Sequence, residues 1–278
     1  MILCVESKND IASKSIAEAL ISGYNFDKLD FFRNNPIYYK VISGKEVKLI
    51  EVEGDLVFEQ NIFASFHPEL IIFLSRHESK FGHPTLSIHV PGNLGNADFG
   101  GVANRISIAP ANAMRNVLLQ MVGAIEETGL CGFEVCYEGT HHGPSIDFPS
   151  MFVEIGSSST EWRNPKVARV IAQAIIGGIK CDSTVPVAIG IGGSHCNKRF
   201  TRLAIENDVA FGHIIPSNNF ETLNVEMLRK CVDMTLEKVQ MLILDWKGID
   251  GKDRELLLDK VKQVPLDLKR VSDFRKPH

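Results

Sequence analysis

Short, largely apolar runs that stop abruptly at histidine or glycine recur along this chain, and this grammar limits the folds open to it. Leu70 to Leu74 runs into Ser75-Arg76-His77, and Phe133 to Tyr137 into Glu138-Gly139-Thr140-His141-His142. Met151 to Ile155 ends in Gly156-Ser157-Ser158, and Val185 to Ile191 in Gly192-Gly193-Ser194-His195. A segment such as Leu70 to Leu74, apolar at every position, suits a strand buried on both faces inside a parallel sheet. Helical stretches separate these strands. Pro110 to Gly129 carries Ala113, Val117, Met121 and Ile125 at steps of four, and Asn164-Pro165 opens a run with Val167, Val170, Ile171 and Ala174. Both are expected to be amphipathic.

Ile2 to Val5 followed by Asp10 to Ile21 reads as a further strand and helix. The alternation from Val47 to Val52, between turn residues Gly44 and Gly54, reads as antiparallel strands at a sheet edge. Val225 to Trp246 and Arg254 to Val264 are expected to be helical. Strands interleaved with helices predict one α/β domain over residues 1–278, a three-layer α/β/α arrangement around a mainly parallel mixed sheet.

A net charge of −4 excludes a generally basic nucleic-acid coat, and 44% hydrophobic with 23% charged residues excludes a disordered chain. The longest apolar stretches fall well short of the ~18 residues that a membrane span needs. Met1-Ile2-Leu3-Cys4-Val5 is followed by Glu6, Lys8 and Asp10, without a basic segment before it, so a cytoplasmic protein is expected. The cysteines at 4, 131, 136, 181, 196 and 231 form no CxxC pair and are expected as reduced thiols, with Cys4, Cys136 and Cys231 filling the core.

In open α/β sheets ligands bind beyond the carboxyl ends of the strands, where side chains distant in sequence converge. His77, His89, His141, His142, His195 and His213 all follow predicted strands, which predicts one histidine-rich crevice. Imidazole serves both metal binding and proton transfer near neutral pH, and spacing alone leaves the two open, since no HExxH helix or comparable motif is present. Glu138 and Glu154 are each open to four roles: ligand, partner fixing an imidazole tautomer, general base, or structural ion pair. The glycine turn at Gly192 and Gly193 offers backbone amides to a phosphate or an oxyanion, or simply makes a tight turn. Ser157 and its neighbours either bond a ligand or cap a helix. Lys198 and Arg199, after the glycine turn, either grip phosphates or form a solvated face.

Taken together, Ser75-Arg76-His77, His89-Val90-x-Gly92-Asn93, Thr140-His141-His142-Gly143-Pro144, Glu154-Ile155-Gly156-Ser157-Ser158, Glu161-Trp162, Gly190-Ile191-Gly192-Gly193-x-His195, Phe211-Gly212-His213-Ile214 and Asp245-Trp246-Lys247-Gly248 resemble the D-aminoacyl-tRNA deacylase family of archaea and plants. The resemblance spans nearly the whole chain. It implies a peptidyl-tRNA hydrolase/phosphorylase-like α/β fold, a zinc cofactor, a cytoplasmic enzyme and a D-aminoacyl-tRNA substrate, with no membrane partner and a monomer favoured. It carries over His77, His89, His141, His142, Glu154, His195 and His213 as the site, with metal ligands expected among His77, His89, His141, His195 and His213 and catalytic roles for His141, His142, Glu154 and His195; the turn, hydroxyl and charge readings above add Gly192, Gly193, Ser157, Lys198 and Arg199 as expected substrate contacts. In the glycine turn Ser194 and Cys196 flank His195, a departure from the family pattern, so Cys196 is not expected as a ligand. Two alternatives remain: another zinc hydrolase of the aminoacylase or carboxypeptidase type, which would need no tRNA, and a non-catalytic tRNA-binding module, whose binding would survive loss of His141 and His142.

Overall fold

The computed structural model describes residues 1–61, 63, 65–79 and 82–274. Ile2–Ser7 forms strand β1, and Asp10 caps helix α1 (Ile11–Tyr24) by accepting a hydrogen bond from the Ser13 amide. The cap satisfies one of the amides that every helix start leaves unpaired. There follow β2 (Asp27–Phe32), β3 (Asn35–Ile42), β4 (Lys45–Val52), β5 (Leu70–Glu78), β6 (Thr85–His89), α2 (Ala111–Thr128), β7 (Glu134–Tyr137) and β8 (Ser150–Ser157). The remaining elements are α3 (Ser159–Trp162), α4 (Pro165–Lys180), β9 (Val187–Ile191), α5 (Lys198–Glu206), β10 (Ala210–Ile215), α6 (Val225–Asp233), β11 (Val239–Leu244), α7 (Gly251–Val261) and β12 (Asp267–Arg270).

Eight strands form a mixed sheet in the order β2-β3-β4-β1-β5-β8-β6-β7. Its centre, β4, β1, β5 and β8, is parallel, and β2 and β3 close one edge antiparallel, as the alternation near Val47 predicts. β6 runs antiparallel to β8 and carries β7 parallel beside it. The chain is thus α/β with a large, mainly parallel mixed sheet. The strands from Val187 onward build a second, wholly parallel sheet in the order β10-β9-β11-β12.

The run from Val225 to Trp246, expected as helix, divides into α6 and the buried strand β11. Met241-Leu242-Ile243-Leu244 lacks alternation because β9 and β12 flank it and both its faces are buried, which removes the period that separates strand from helix. Helix α4 is buried almost all round, including Ala168, Ala172 and Ile176, because α1, α2 and the large sheet all pack on it. Its approach to α2 is close enough that a Cβ on Gly178 would lie 2.4 Å from Val117 Cγ2.

The helices cover one face of the large sheet. On the other, Leu3, Val5, Ile71, Phe73 and Phe152 are covered by Leu56, Val57, Phe63 and Ile146 from irregular chain and a 3-10 turn (Leu56–Phe58). Cys136 and Cys196, expected as free thiols, are joined in a disulfide, whereas Cys4, Cys131, Cys181 and Cys231 are free.

Candidate active site

Side chains two apart on a strand share a face. On β5 this carries Ser75 and His77 along the face of Ile71 and Phe73, and on β8 it places Glu154 beyond Phe152. Across the antiparallel seam, Ser87 and His89 of β6 face the same way, because Leu86 and Ile88 pack into the core under the helices. His77, Glu154 and His89 therefore meet on the face that carries irregular chain. The histidines and carboxylates come together from strands of opposite direction, so the carboxyl-end rule describes only part of the site.

β7 contributes by the same alternation. Glu134, Cys136 and Glu138 lie on one face and meet Lys198, Cys196 and His195: an ion pair of 2.8 Å, the disulfide, and a contact of 3.0 Å from Glu138 Oε2 to His195 Nε2. Glu138 is the hub. Its other oxygen, Oε1, lies 3.0 Å from His77 Nδ1, and Oε2 is 3.7 Å from His141 Nε2. Glu154 reaches His77 Nδ1 at 3.6 Å and His89 Nε2 at 3.5 Å.

His141 and His142 sit on the loop after β7, fastened by the Gly92 amide, which donates to the carbonyls of His141 (3.2 Å) and His142 (2.6 Å). Gly92 has φ of +145° and its Cα faces Ile106, so no other residue fits there without strain. The rings of His89 and His141 lie 4.1 Å apart, those of His141 and His142 4.2 Å, and those of His141 and His195 4.3 Å. Phe152 stacks under His89 at 5.1 Å and forms the apolar floor.

Three Nδ1 atoms face backbone carbonyls: His141 to Gly139 at 2.8 Å, His142 to Gly143 at 2.7 Å and His89 to Val90 at 3.2 Å. A carbonyl only accepts, so each ring donates from Nδ1; His141 and His142 keep an Nε2 lone pair for the site, whereas the Nε2 of His89 faces the Glu154 carboxylate, which holds that imidazole above its usual range against burial. Ligand atoms of His89, His141 and His142, of Glu138, His141 and His195, and of His77, Glu138 and Glu154 lie within 4.8 Å of one another in each group. His89 Nε2 and Glu138 Oε1 are buried and make no well-aligned hydrogen bond, although Glu154 lies 3.5 Å from the first and His77 3.0 Å from the second. Poorly aligned atoms in a convergent nitrogen and oxygen donor set fit a divalent cation.

Burial pushes the His142 imidazole down to about 4, helped by repulsion from His89, and it pushes His141 well below the usual range, again with His89 and His142 adding to it. Burial also opposes the charge on His77, but Glu138 and Glu154 overcome it and raise this group to about 10. In return the carboxyl groups of Glu138 and Glu154 are held low despite their burial, by His195 and His77 in one case and His77 and His89 in the other.

The cluster opens into a cleft of about 720 Å³, within the range of small-molecule sites. Asp10, Arg76 and Phe99 line it beside the histidines. Asp10 accepts from the Arg76 amide at 2.9 Å as well as capping α1, a role visible in the sequence only as a helix start.

Not every expected residue is there. His213 lies inside β10 rather than after it, fully buried, with Nδ1 3.0 Å from Thr140 Oγ1 and Nε2 3.2 Å from the Met234 carbonyl; it stands outside the three donor groups. The Gly192 amide donates to the Ile215 carbonyl at 2.8 Å, and Gly193 packs against Asn197 and Asp245. Ser157 Oγ donates to the His83 carbonyl, while Ser158, not Ser157, caps α3. Arg199 is ion-paired with Asp245, and of these substrate-contact candidates Lys198 lines the cleft. Glu138, which the sequence left open among four roles, is the most connected residue of the site.

A mixed α/β sheet bearing a cleft where the depressed imidazoles of His141 and His142 stand beside the raised imidazole of His77 and two ionised carboxylates defines a protein equipped for metal-assisted or acid–base chemistry. The family model described as D-aminoacyl-tRNA deacylase matches residues 64–269, and the chain belongs to that family. The D-aminoacyl-tRNA deacylase of Thermococcus kodakarensis is 38% identical, with 97% of this chain and 100% of the relative covered. That of Thermococcus onnurineus is 35% identical over 97% of this chain and its whole length. A crystal structure of a conserved protein of unknown function superimposes with a TM-score of 0.87 at 29% identity, covering 98% of this chain and 96% of the other.

Proposed function

We propose that this chain hydrolyses the ester of D-aminoacyl-tRNA, releasing the D-amino acid and a tRNA with a free terminal ribose hydroxyl. The observation that carries the reading is the meeting of His77, His89, His141, His142 and His195 with Glu138 and Glu154 at one cleft, in a chain of the deacylase family. The donor set suits zinc, held among His89, His141, His142, His195 and Glu138. When bound, zinc supplies polarisation of the acyl carbonyl and a water acidified towards ~7.

The chain's own groups do the rest. Glu154, kept ionised by His77 and His89, is the base that takes the proton of the attacking water. Glu138 fixes His195 and His77 in place, and the Gly92 clamp fixes His141 and His142. Phe152 excludes water from beneath His89 and strengthens the electrostatics above it. Arg76, whose amide donates to Asp10 and whose guanidinium lies 3.7 Å from the same carboxylate, lines the cleft and is our candidate for a contact with a substrate phosphate. None of the helices among the described residues is long and apolar enough to cross a membrane.

The test is deacylation of D-Tyr-tRNA and L-Tyr-tRNA with and without a chelator. Hydrolysis of the D form alone, abolished by the chelator, is expected. Equal turnover of both forms would overturn the chiral reading, and chelator-resistant turnover the metal.

A further inference from the structure

Two large apolar side chains stand in solvent at the mouth of this polar cleft. Phe58 is 60% exposed and Phe99 55% exposed, and their rings meet edge to face at 5.9 Å. Phe99 lines the cleft, with its ring 6.2 Å from that of His142. Neither ring is on a loose loop. The Gly143 amide donates to the Phe99 carbonyl at 2.9 Å. Gly100 and Gly143 both pack so tightly on the carbonyl of Val57, the residue before Phe58, that a Cβ on either would lie 2.2 Å from it. The backbone that carries one ring is therefore locked to the backbone that carries the other, and both are tied to the loop bearing His141 and His142.

We infer that Phe58 and Phe99 form a stacking platform for the terminal adenine of the tRNA 3′ end. The inference rests on the deacylase reading above. In an aminoacyl-tRNA the scissile ester sits on the terminal ribose, so the terminal base is one sugar away from the carbonyl under attack. A carbonyl among the histidines places that base at the rim of the cleft, where Phe99 borders His142. Aromatic rings recognise bases through their faces at every tRNA sequence, and a rigid edge-to-face pair leaves ring surface free for that contact. The platform thus anchors the part of the substrate common to all tRNAs, without contacting the amino-acid side chain.

Binding of a CCA trinucleotide and of the same trinucleotide with an abasic terminus is measured on the metal-loaded wild type, Phe58→Ala, Phe99→Ala and the double variant. Removal of the terminal base is expected to weaken wild-type binding on the order of 10-fold and to change the double variant hardly at all. Phe99→Trp, which keeps a ring face, retains the wild-type response. In parallel, the double variant is expected to lose a much larger factor of kcat/KM on D-Tyr-tRNA than on D-tyrosine methyl ester, which has no nucleotide. An equal cost of base removal in wild type and double variant would overturn the platform, as would an equal loss on both esters, which would assign the rings to the amino-acid side chain. A change in oligomeric mass with unaltered CCA binding would overturn it in favour of a contact between copies. The binding measurement needs no turnover, so it stands apart from failure of the deacylase reading itself.

Discussion

Glu138 Oε2 lies 3.0 Å from His195 Nε2, although 57 residues separate them. The contact joins the end of β7 to the loop after β9, and so couples the two sheets at the site. The same carboxylate lies 3.0 Å from His77 and 3.7 Å from His141, so it holds imidazoles from three segments together.

Glu138→Gln keeps the shape and removes the charge. It is expected to lower metal affinity about 10–100-fold, as loss of a carboxylate partner to an imidazole does, and to lower kcat/KM at least as much. Metal titration followed by steady-state kinetics checks this. Wild-type metal affinity in the variant would remove Glu138 from the hub.

Gly92→Ala tests the clamp on the histidine loop. At φ of +145°, with Ile106 Cα 2.5 Å from the new Cβ, the substitution is expected to cost about 1–3 kcal/mol and to reduce activity beyond what the lower stability explains. Chemical denaturation and activity assays well below the melting temperature separate the two effects.

Removal of metal by chelation is expected to abolish turnover, and zinc to restore it. Elemental analysis is expected to find zinc in the wild type and little in His141→Ala, whereas His213→Asn, altered inside a strand and outside the donor groups, keeps its zinc. Loss of zinc in His213→Asn with an unchanged fold would return that residue to the ligand set.

Glu6, on the face of β1 that carries Cys4 under the helices and not on the face of the histidines, predicts a pH dependence of stability. Burial, with repulsion from Glu51 on the neighbouring strand β4 and Glu18 on α1 outweighing attraction to Lys14, raises its carboxyl from 4.5 to about 8. The folded chain therefore holds this proton where the unfolded chain has lost it. The stabilisation is fully present below about 4.5 and is lost as pH rises through about 8. Glu6→Gln is expected to raise the melting temperature at pH 8 by several degrees, at ~2–4 °C per kcal/mol for a chain of this size, with little change at pH 4. An equal shift at both pH values would assign the effect to packing instead of the proton.

The sequence by itself determined the α/β class and the histidines of the site, because wholly buried strands and histidines after them leave local marks: Leu70 to Leu74 became β5, and His77, His89, His141, His142 and His195 converge. An all-apolar run has no period of its own and is read from what bounds it: no glycine or proline stands between α6 and Val239, which is why β11 reads as helix. The antiparallel turn of β6 against β8 has no local signature either, since register and direction are settled by long-range pairing. That pairing alone chose Glu138 as the hub, took His213 into the middle of a strand, and brought Cys136 to Cys196. A residue's type and neighbours in the chain fix what chemistry it offers; which groups meet depends on strand direction and period, and only the folded sheet sets those.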